Sequence, residues 1–240
     1  MRERSNVFNN RILIVGAGGL GIPAASALAK TGGLRLTLID ADPVELSNLA
    51  RQVIFRTDDI GVAKVEAAAR RLRGHFPTLE IEPIIAALDS GNAHRLISAH
   101  DVVIDATDDP AVKFLINDVC LAADRPFVYG GVLAMSGQAL TVIPQRTACL
   151  RCLFEEPPAD ADIASCREAG IVGPVAGVIG EIQASEALAI LREPVTRLSG
   201  RILTYDAAAT PPRVRIAEVA ARRGCACGAA LAHPSVAARN

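Results

Sequence analysis

Arg11-Ile12-Leu13-Ile14-Val15-Gly16-Ala17-Gly18-Gly19-Leu20-Gly21 decides the fold. An apolar run of strand type leads straight into G-A-G-G-L-G, a match to the pattern G-x-G-x-x-G. Ile22 to Lys30 follows as a predicted helix rich in alanine. Strand, glycine turn and helix are the context this pattern needs to bind a nucleotide. Gly16 permits the tight turn, Gly18 lets backbone approach a phosphate, and Gly21 lets helix and strand pack closely. Together with Gly19 they form the candidate nucleotide turn. The helix start behind it offers free N–H groups and partial positive charge to an anion.

Leu34 to Ile39 reads as a second strand that ends in Asp40. Asp40 stands at the spacing expected for a carboxylate on a ribose hydroxyl. The structural alternative is a strand-end aspartate that caps the next turn. Up to this point the chain also fits a nicotinamide-dependent oxidoreductase.

The rest of the composition narrows the classes. The 240 residues suit one large domain, and 50% of them are hydrophobic, enough for a sizeable core. With a net charge of -1 and 3% aromatic residues, nucleic acid is not an expected partner. Met1 to Asn6 is too polar for a secretory signal. The apolar stretch Ile171 to Ile179 is broken by Gly173, Pro174 and Gly177, too short to span a bilayer of ~30 Å. A cytoplasmic protein without a membrane partner is the expectation. Its six cysteines then point to metal or catalysis before disulfides.

Beyond Asp40 the chain departs from a simple dinucleotide fold. Asp42, Asn48, Arg51 and Gln52 precede a helix predicted to open near Asp59, as its cap, and to run to about Arg73. Asn48, Arg51 and Lys64 suit a triphosphate, with Lys64 in the first turn of its helix. Taken singly, such residues are ordinary solvated surface charges. Further strands are predicted at Ile81 to Ala86, Asp101 to Asp105, Pro126 to Gly130, Gly137 to Ile143, Arg201 to Tyr205 and Arg213 to Val219. Val214 and Ile216 alternate with arginines there, as in a half-exposed strand. Helices are predicted at Asn92 to Ala99, at Pro110 to Ala123 and from Pro174 on. Cys120 reads as a core residue. Gly177 and Gly180 cost their helix roughly 1 kcal/mol each against alanine, unless something packs closely on them.

G-A-G-G-L-G, then D-x-D, S-N-L-x-R-Q and G-x-x-K-x-E resemble the ThiF/MoeB/HesA family, bacterial relatives of ubiquitin-activating enzymes. The likeness runs from Arg11 to about Gly228, and Ser165 to Gly180 matches the ThiF branch most closely. It implies an α/β, Rossmann-like, doubly wound and mostly parallel sheet with a C-terminal antiparallel extension and a small zinc site. A nucleotide-binding half at about 11–145 would precede a carrier-binding and zinc half at about 146–228, with a loose tail at 229–240.

The implied activity is ATP-dependent adenylation of the C-terminal glycine carboxylate of a small ubiquitin-like sulfur carrier ending in Gly-Gly. Asp108, in Ala106-Thr107-Asp108-Asp109, corresponds to the family's acidic turn near magnesium and the phosphates. Asp109 stands where the family usually has asparagine, and capping of the next helix is the alternative role for both aspartates. Cys166 matches the sulfur-transfer thiol, which implies a sulfur donor of cysteine desulfurase or rhodanese type. Cys149 and Cys152, with Cys225 and Cys227, would hold structural zinc. The family has C-x-x-C at the second pair; this chain has C-x-C, a spacer that does not make the usual knuckle. A homodimer is also implied, although the family's arginine-bearing N-terminal segment is not recognisable ahead of Arg11. A non-catalytic partner subunit of a heterodimer is the alternative.

Overall fold

The computed structural model describes residues 10–158, 170–193 and 195–228. Eight strands form a single sheet: β1 (Arg11–Val15), β2 (Arg35–Ile39), β3 (Glu80–Ile84), β4 (Val102–Asp105), β5 (Phe127–Leu133), β6 (Ser136–Val142), β7 (Arg201–Asp206) and β8 (Arg213–Glu218). Their order is β3-β2-β1-β4-β5-β6-β7-β8. The first five are parallel, and β6 to β8 extend the sheet antiparallel, as expected. The helices are α1 (Gly21–Ala29), α2 (Lys64–His75), α3 (Ala93–Ser98), α4 (Pro110–Ala122), α5 (Leu150–Leu153) and α6 (Gly173–Ile190).

The alternation of β1 shows how the core is built. Ile12 and Ile14 join a cluster with Leu28 of α1, Leu72 of α2 and Ile179 of α6. Leu13 and Val15 join the cluster on the other face, with Ile97 of α3 and Phe114 of α4. A strand buried on both faces reads as an unbroken apolar run, the signal that marked β1 and β4. Cys120 is fully buried in α4, as read.

The strand order reverses between the parallel neighbours β1 and β4: from β1 the chain moves outward to β2 and β3, and from β4 it moves the other way to β5. In such sheets the ligand crevice lies at this switch point, beyond the carboxyl ends of the strands. Here the two ends touch: a Cβ on Gly16, whose φ is +102°, would lie 2.6 Å from the Ala106 carbonyl oxygen. A Cβ on Gly21 would lie 1.8 Å from the Gly16 oxygen, so only glycine lets α1 start this close to its strand. Similarly, α6 packs on α1 where a Cβ on Gly180 would lie 2.4 Å from the Leu20 oxygen. That contact accounts for Gly180; nothing lies within 4 Å of a Cβ at Gly177, whose cost in the helix is not offset this way.

Two local expectations are corrected. Asp59 does not cap α2. It ends a short 3-10 turn, Thr57–Asp59, fully buried, and binds Arg70 at 2.6 Å and Arg71 at 2.9 Å from beneath the helix. The cap position of α2 is Ala63. β8 is exposed along its whole length, not on one face only: Val214 is 59% and Ile216 51% exposed. It is the edge strand, and among the described residues no helix covers it.

Candidate active site

The carboxyl ends of β2, β1 and β4 bring together most of the residues singled out in the sequence. Asp40, just after β2, uses both oxygens: one accepts the Ala17 N–H at 2.7 Å, the other the Asp42 N–H at 2.8 Å. It therefore caps its own turn and also ties that turn to the glycine loop.

The segment between β2 and α2 folds over this edge. Asp42 accepts the Lys64 backbone N–H through its own carbonyl at 2.9 Å, and its carboxylate accepts the Lys64 ammonium at 2.8 Å. Lys64 opens α2, as read, and its side chain is nearly buried while that of Asp42 is exposed. Asn48 is buried: its Oδ1 accepts the Glu45 N–H at 3.1 Å and its Nδ2 faces the Ser47 hydroxyl at 3.4 Å. Arg51 donates to the Ser47 carbonyl at 3.1 Å, and its Cα lies 3.3 Å from where a Cβ on Gly173 would stand. The start of α6 thus packs against the arginine.

Gln52 carries the most pointed signal. It is buried, its Nε2 lies 3.7 Å from a Cβ position on Gly18, and its Oε1 has no hydrogen-bond partner. Buried polar atoms are almost always paired. The orphaned atom is the amide oxygen, an acceptor; the amide nitrogen is the atom beside Gly18, where it can donate to a ligand on the glycine loop.

The turn after β4 supplies the acidic side. Asp109 caps α4, accepting from Ala111 N at 2.8 Å and Val112 N at 3.3 Å. Asp108 is exposed and does not cap; among the described residues it makes no hydrogen bond or ion pair. The helix-cap alternative thus holds for Asp109 alone. A free carboxylate of this kind suits magnesium, which takes one or two carboxylates and phosphate oxygens.

Beneath that turn lies a group the sequence reading missed. Asp105 is fully buried, with Lys113 of α4 reaching both its oxygens, at 3.2 and 3.3 Å. Burial raises the Asp105 carboxyl, and Lys113 works against it. Burial and then Asp105 push the Tyr129 phenol up. Gln183 of α6 donates to the Asp105 and Val128 carbonyls, at 2.6 and 3.1 Å. The available signals were an aspartate ending an apolar strand and a lysine within an apolar helix.

At the far end of α4 four cysteines converge. The sulfurs of Cys149, Cys152, Cys225 and Cys227 all lie within 4.8 Å of one another, with Cys149–Cys225 and Cys152–Cys227 each at 3.6 Å. Tetrahedral zinc with Zn–S of about 2.3 Å places its sulfurs about 3.8 Å apart, so the donor set fits. The short C-x-C spacer is no obstacle. Gly224 and Gly228, with φ of +77° and +68°, bend the chain on either side of it. The Arg222 N–H donates to Cys152 Sγ at 3.3 Å. Burial and the neighbouring thiols push the Cys149 thiol up. Burial also acts to raise Cys225, but hydrogen bonds from the Cys227 backbone and the other sulfurs outweigh it and bring it down. Cys166 lies outside the described residues.

Fold and site define an E1-like α/β protein: a doubly wound sheet with a phosphate-type glycine loop, a basic crossover segment, an acidic turn and a four-cysteine cluster. The ThiF family model matches residues 1–229, and the chain belongs to the ThiF family. It is 41% identical over 204 residues to the SAMP-activating enzyme E1 of Haloferax volcanii, covering 85% of this chain and 75% of that one. It is 36% identical over 201 residues to the sulfur carrier protein adenylyltransferase of Thermus thermophilus, covering 82% and 74%. It is also 37% identical over 219 residues to the adenylyltransferase and sulfurtransferase MOCS3 of Arabidopsis thaliana, covering 91% of this chain but 47% of that one. In fold it is similar to E. coli MccB, solved with ATP, at a TM-score of 0.78 and 22% identity over 91% of this chain and 66% of that one.

Proposed function

We propose that the chain adenylates the C-terminal carboxylate of a small ubiquitin-like sulfur carrier that ends in Gly-Gly, preparing it for thiocarboxylate formation. Relatives named for activating SAMP and sulfur carrier proteins support this reading. The observation that carries it is the set of donors on the segment that follows β2: the buried Gln52, whose Nε2 lies against Gly18, Lys64 held by Asp42, and Arg51. A nicotinamide oxidoreductase has no use for that basic segment.

A terminal carboxylate has a reference pKa near 3.5 and is already ionised at neutral pH, so attack on the α-phosphate needs no general base. The difficulty is charge: an anion must approach a polyanion, and negative charge grows on the leaving pyrophosphate. Lys64, Arg51, Gln52 and the start of α1 are donors fixed before the reaction, which is what makes such groups effective. Gly16, Gly18, Gly19 and Gly21 let backbone N–H groups approach the phosphates. Asp40 would accept from the ribose hydroxyls with its remaining lone pairs, and Asp42 and Asn48 hold the basic segment in shape. Asp108 would hold magnesium, which supplies charge neutralisation on the phosphates when bound. The four cysteines would hold one zinc, remote from the reacting atoms, so its role is structural.

The carrier's globular part is assigned to the C-terminal half, about residues 146–228 with the antiparallel extension. The carboxyl end of β7 lies on the same sheet edge as the glycine loop, and Val214 and Ile216 beside it are uncovered. Cys166 is the proposed acceptor for sulfur from a desulfurase- or rhodanese-type donor. The chain is proposed to act as a cytoplasmic homodimer. Among the described residues no helix is long and apolar enough to cross a membrane.

ATP–pyrophosphate exchange with a panel of Gly-Gly carriers tests the reading. Carrier-dependent exchange by the purified chain is expected. Exchange that appears only after a second, related subunit is added would instead make this chain a non-catalytic partner.

A further inference from the structure

Lys113 has a place that the adenylation chemistry does not use. Its ammonium donates to both oxygens of Asp105, at 3.2 and 3.3 Å, and to the Gly130 carbonyl at 2.6 Å. It also stands 4.9 Å from the centroid of the Tyr129 ring. Its three protons thus have acceptors inside the fold, and none is left for a ligand.

What the ammonium holds is the wall of the crevice. Asp105 Oδ1 accepts the Thr107 N–H at 3.3 Å, and Thr107 Oγ1 in turn accepts the Asp109 N–H at 3.2 Å. The turn carrying Asp108 is therefore folded back onto the Asp105 carboxylate. Ala106, between them, donates to the Val15 carbonyl at 2.9 Å and closes on Gly16, where a Cβ would meet its oxygen at 2.6 Å. α4, β4, β5 and the glycine loop are thus joined through a single buried ion pair.

We propose that Lys113 is a positioning residue for the nucleotide loop: through Asp105 and Gly130 it fixes the placement of Ala106 to Asp108 against Gly16. The proposal rests on the reading that ATP binds at that loop. An ion pair taken out of water contributes little net stability, while loss of one partner leaves the other uncompensated. Here the uncompensated group would be Asp105, and the turn built on it would shift. Position and charge make opposite predictions. As a charge alone, Lys113 attracts ATP and Asp105 repels it, so neutralising Asp105 should tighten binding. As a clamp, both are needed and losing either weakens it.

The test is ATP affinity, measured by titration calorimetry on the full chain with the folded fraction checked by thermal melting. Lys113→Gln and Asp105→Asn are each expected to raise the Kd for ATP at least tenfold, and Lys113→Arg, which keeps charge and donors, to restore most of the loss. If Lys113→Gln does not fold, Asp105→Asn carries the test alone, because its charge effect has the opposite sign. A lowered melting temperature with unchanged Kd, or a tighter Kd in Asp105→Asn, overturns the proposal. Should the wild-type chain bind no ATP, the functional reading and this proposal fall together; should it bind ATP without exchanging pyrophosphate, only the former falls.

Discussion

Lys64 and Asp42 form an ion pair at 2.8 Å in which the lysine side chain is 10% exposed and the aspartate side chain 67% exposed. The asymmetry matters. The lysine is held at the first turn of α2 by a partner that can turn to solvent. Truncating Lys64 leaves no buried unpaired charge, so its loss should affect function far more than folding.

The first prediction follows. Lys64→Ala, Arg51→Ala and Asp108→Ala should each suppress ATP–pyrophosphate exchange by about 10²–10³-fold, as removal of one fixed electrostatic stabiliser does elsewhere. Their melting curves should stay close to wild type. Asp42→Asn, which leaves the ammonium in place, should cost less. Near-normal exchange in all three alanine variants would remove the basis of the adenylation reading.

Cys166 is separable from that step. Adenylation needs the phosphate-binding residues, whereas covalent sulfur transfer needs a thiol and comes afterwards. Cys166→Ala should therefore keep pyrophosphate exchange but lose any thiol-sensitive covalent adduct with the carrier. Wild-type rates of thiocarboxylate formation by this variant, with a physiological sulfur donor, would rule Cys166 out as the transfer residue.

For the cysteine cluster, metal analysis of protein prepared without chelator should give about one zinc per chain. Cys227→Ser should bind much less and melt lower. Its effect should reach α4, because Leu150 N donates to Asn117 Oδ1 at 2.9 Å and Arg151 grips Asp118 with two bonds of 2.8 Å. Metal-free protein that melts as the loaded protein does would mean that the sulfurs are held by the fold alone.

The sheet was legible because its central strands β1 and β4 are apolar runs buried on both faces and its glycine turn has a geometric meaning. Lys64 at a helix start and the pairing of distant cysteines were legible for similar reasons. Other features depended on tertiary neighbours. Asp59 has the look of a helix cap, yet Arg70 and Arg71 draw it under the helix. The exposure of β8 follows from its place at the sheet edge, which no periodicity within β8 records. The Asp105–Lys113 pair joins a strand end to a helix interior, and neither residue is unusual until both are buried together. C-x-C looked one residue short because spacing ignores the two positive-φ glycines that bend the chain around it.

The last prediction concerns His100, a buried histidine that was not singled out in the sequence. Its Nδ1 lies 2.7 Å from the Leu96 carbonyl and its Nε2 2.7 Å from the Thr37 hydroxyl. The carbonyl can only accept, so Nδ1 carries the proton and Nε2 accepts from the threonine. Burial lowers the His100 pKa below 6.5. The Leu96 carbonyl opposes this, Arg11 adds to it, and Glu82 and Asp101 act against it. With the folded pKa below the unfolded one, the unfolded chain binds more protons between them. Stability from this group is complete above about pH 6.5 and falls as pH drops toward the folded value, by at most about 1.4 kcal/mol per pH unit. Asp59 and Asp118 have lowered pKa values, so their losses begin near their ordinary 3.8 and fall outside this window. Asp105, raised instead, gains on acidification, and a comparison of wild type with His100→Leu at each pH cancels it. Urea unfolding between pH 7.5 and 5 should show wild type losing stability and His100→Leu losing less, although the variant starts lower because Thr37 and Leu96 lose a partner. Parallel pH profiles for the two proteins would show that His100 is no more costly to protonate in the fold than in the unfolded chain.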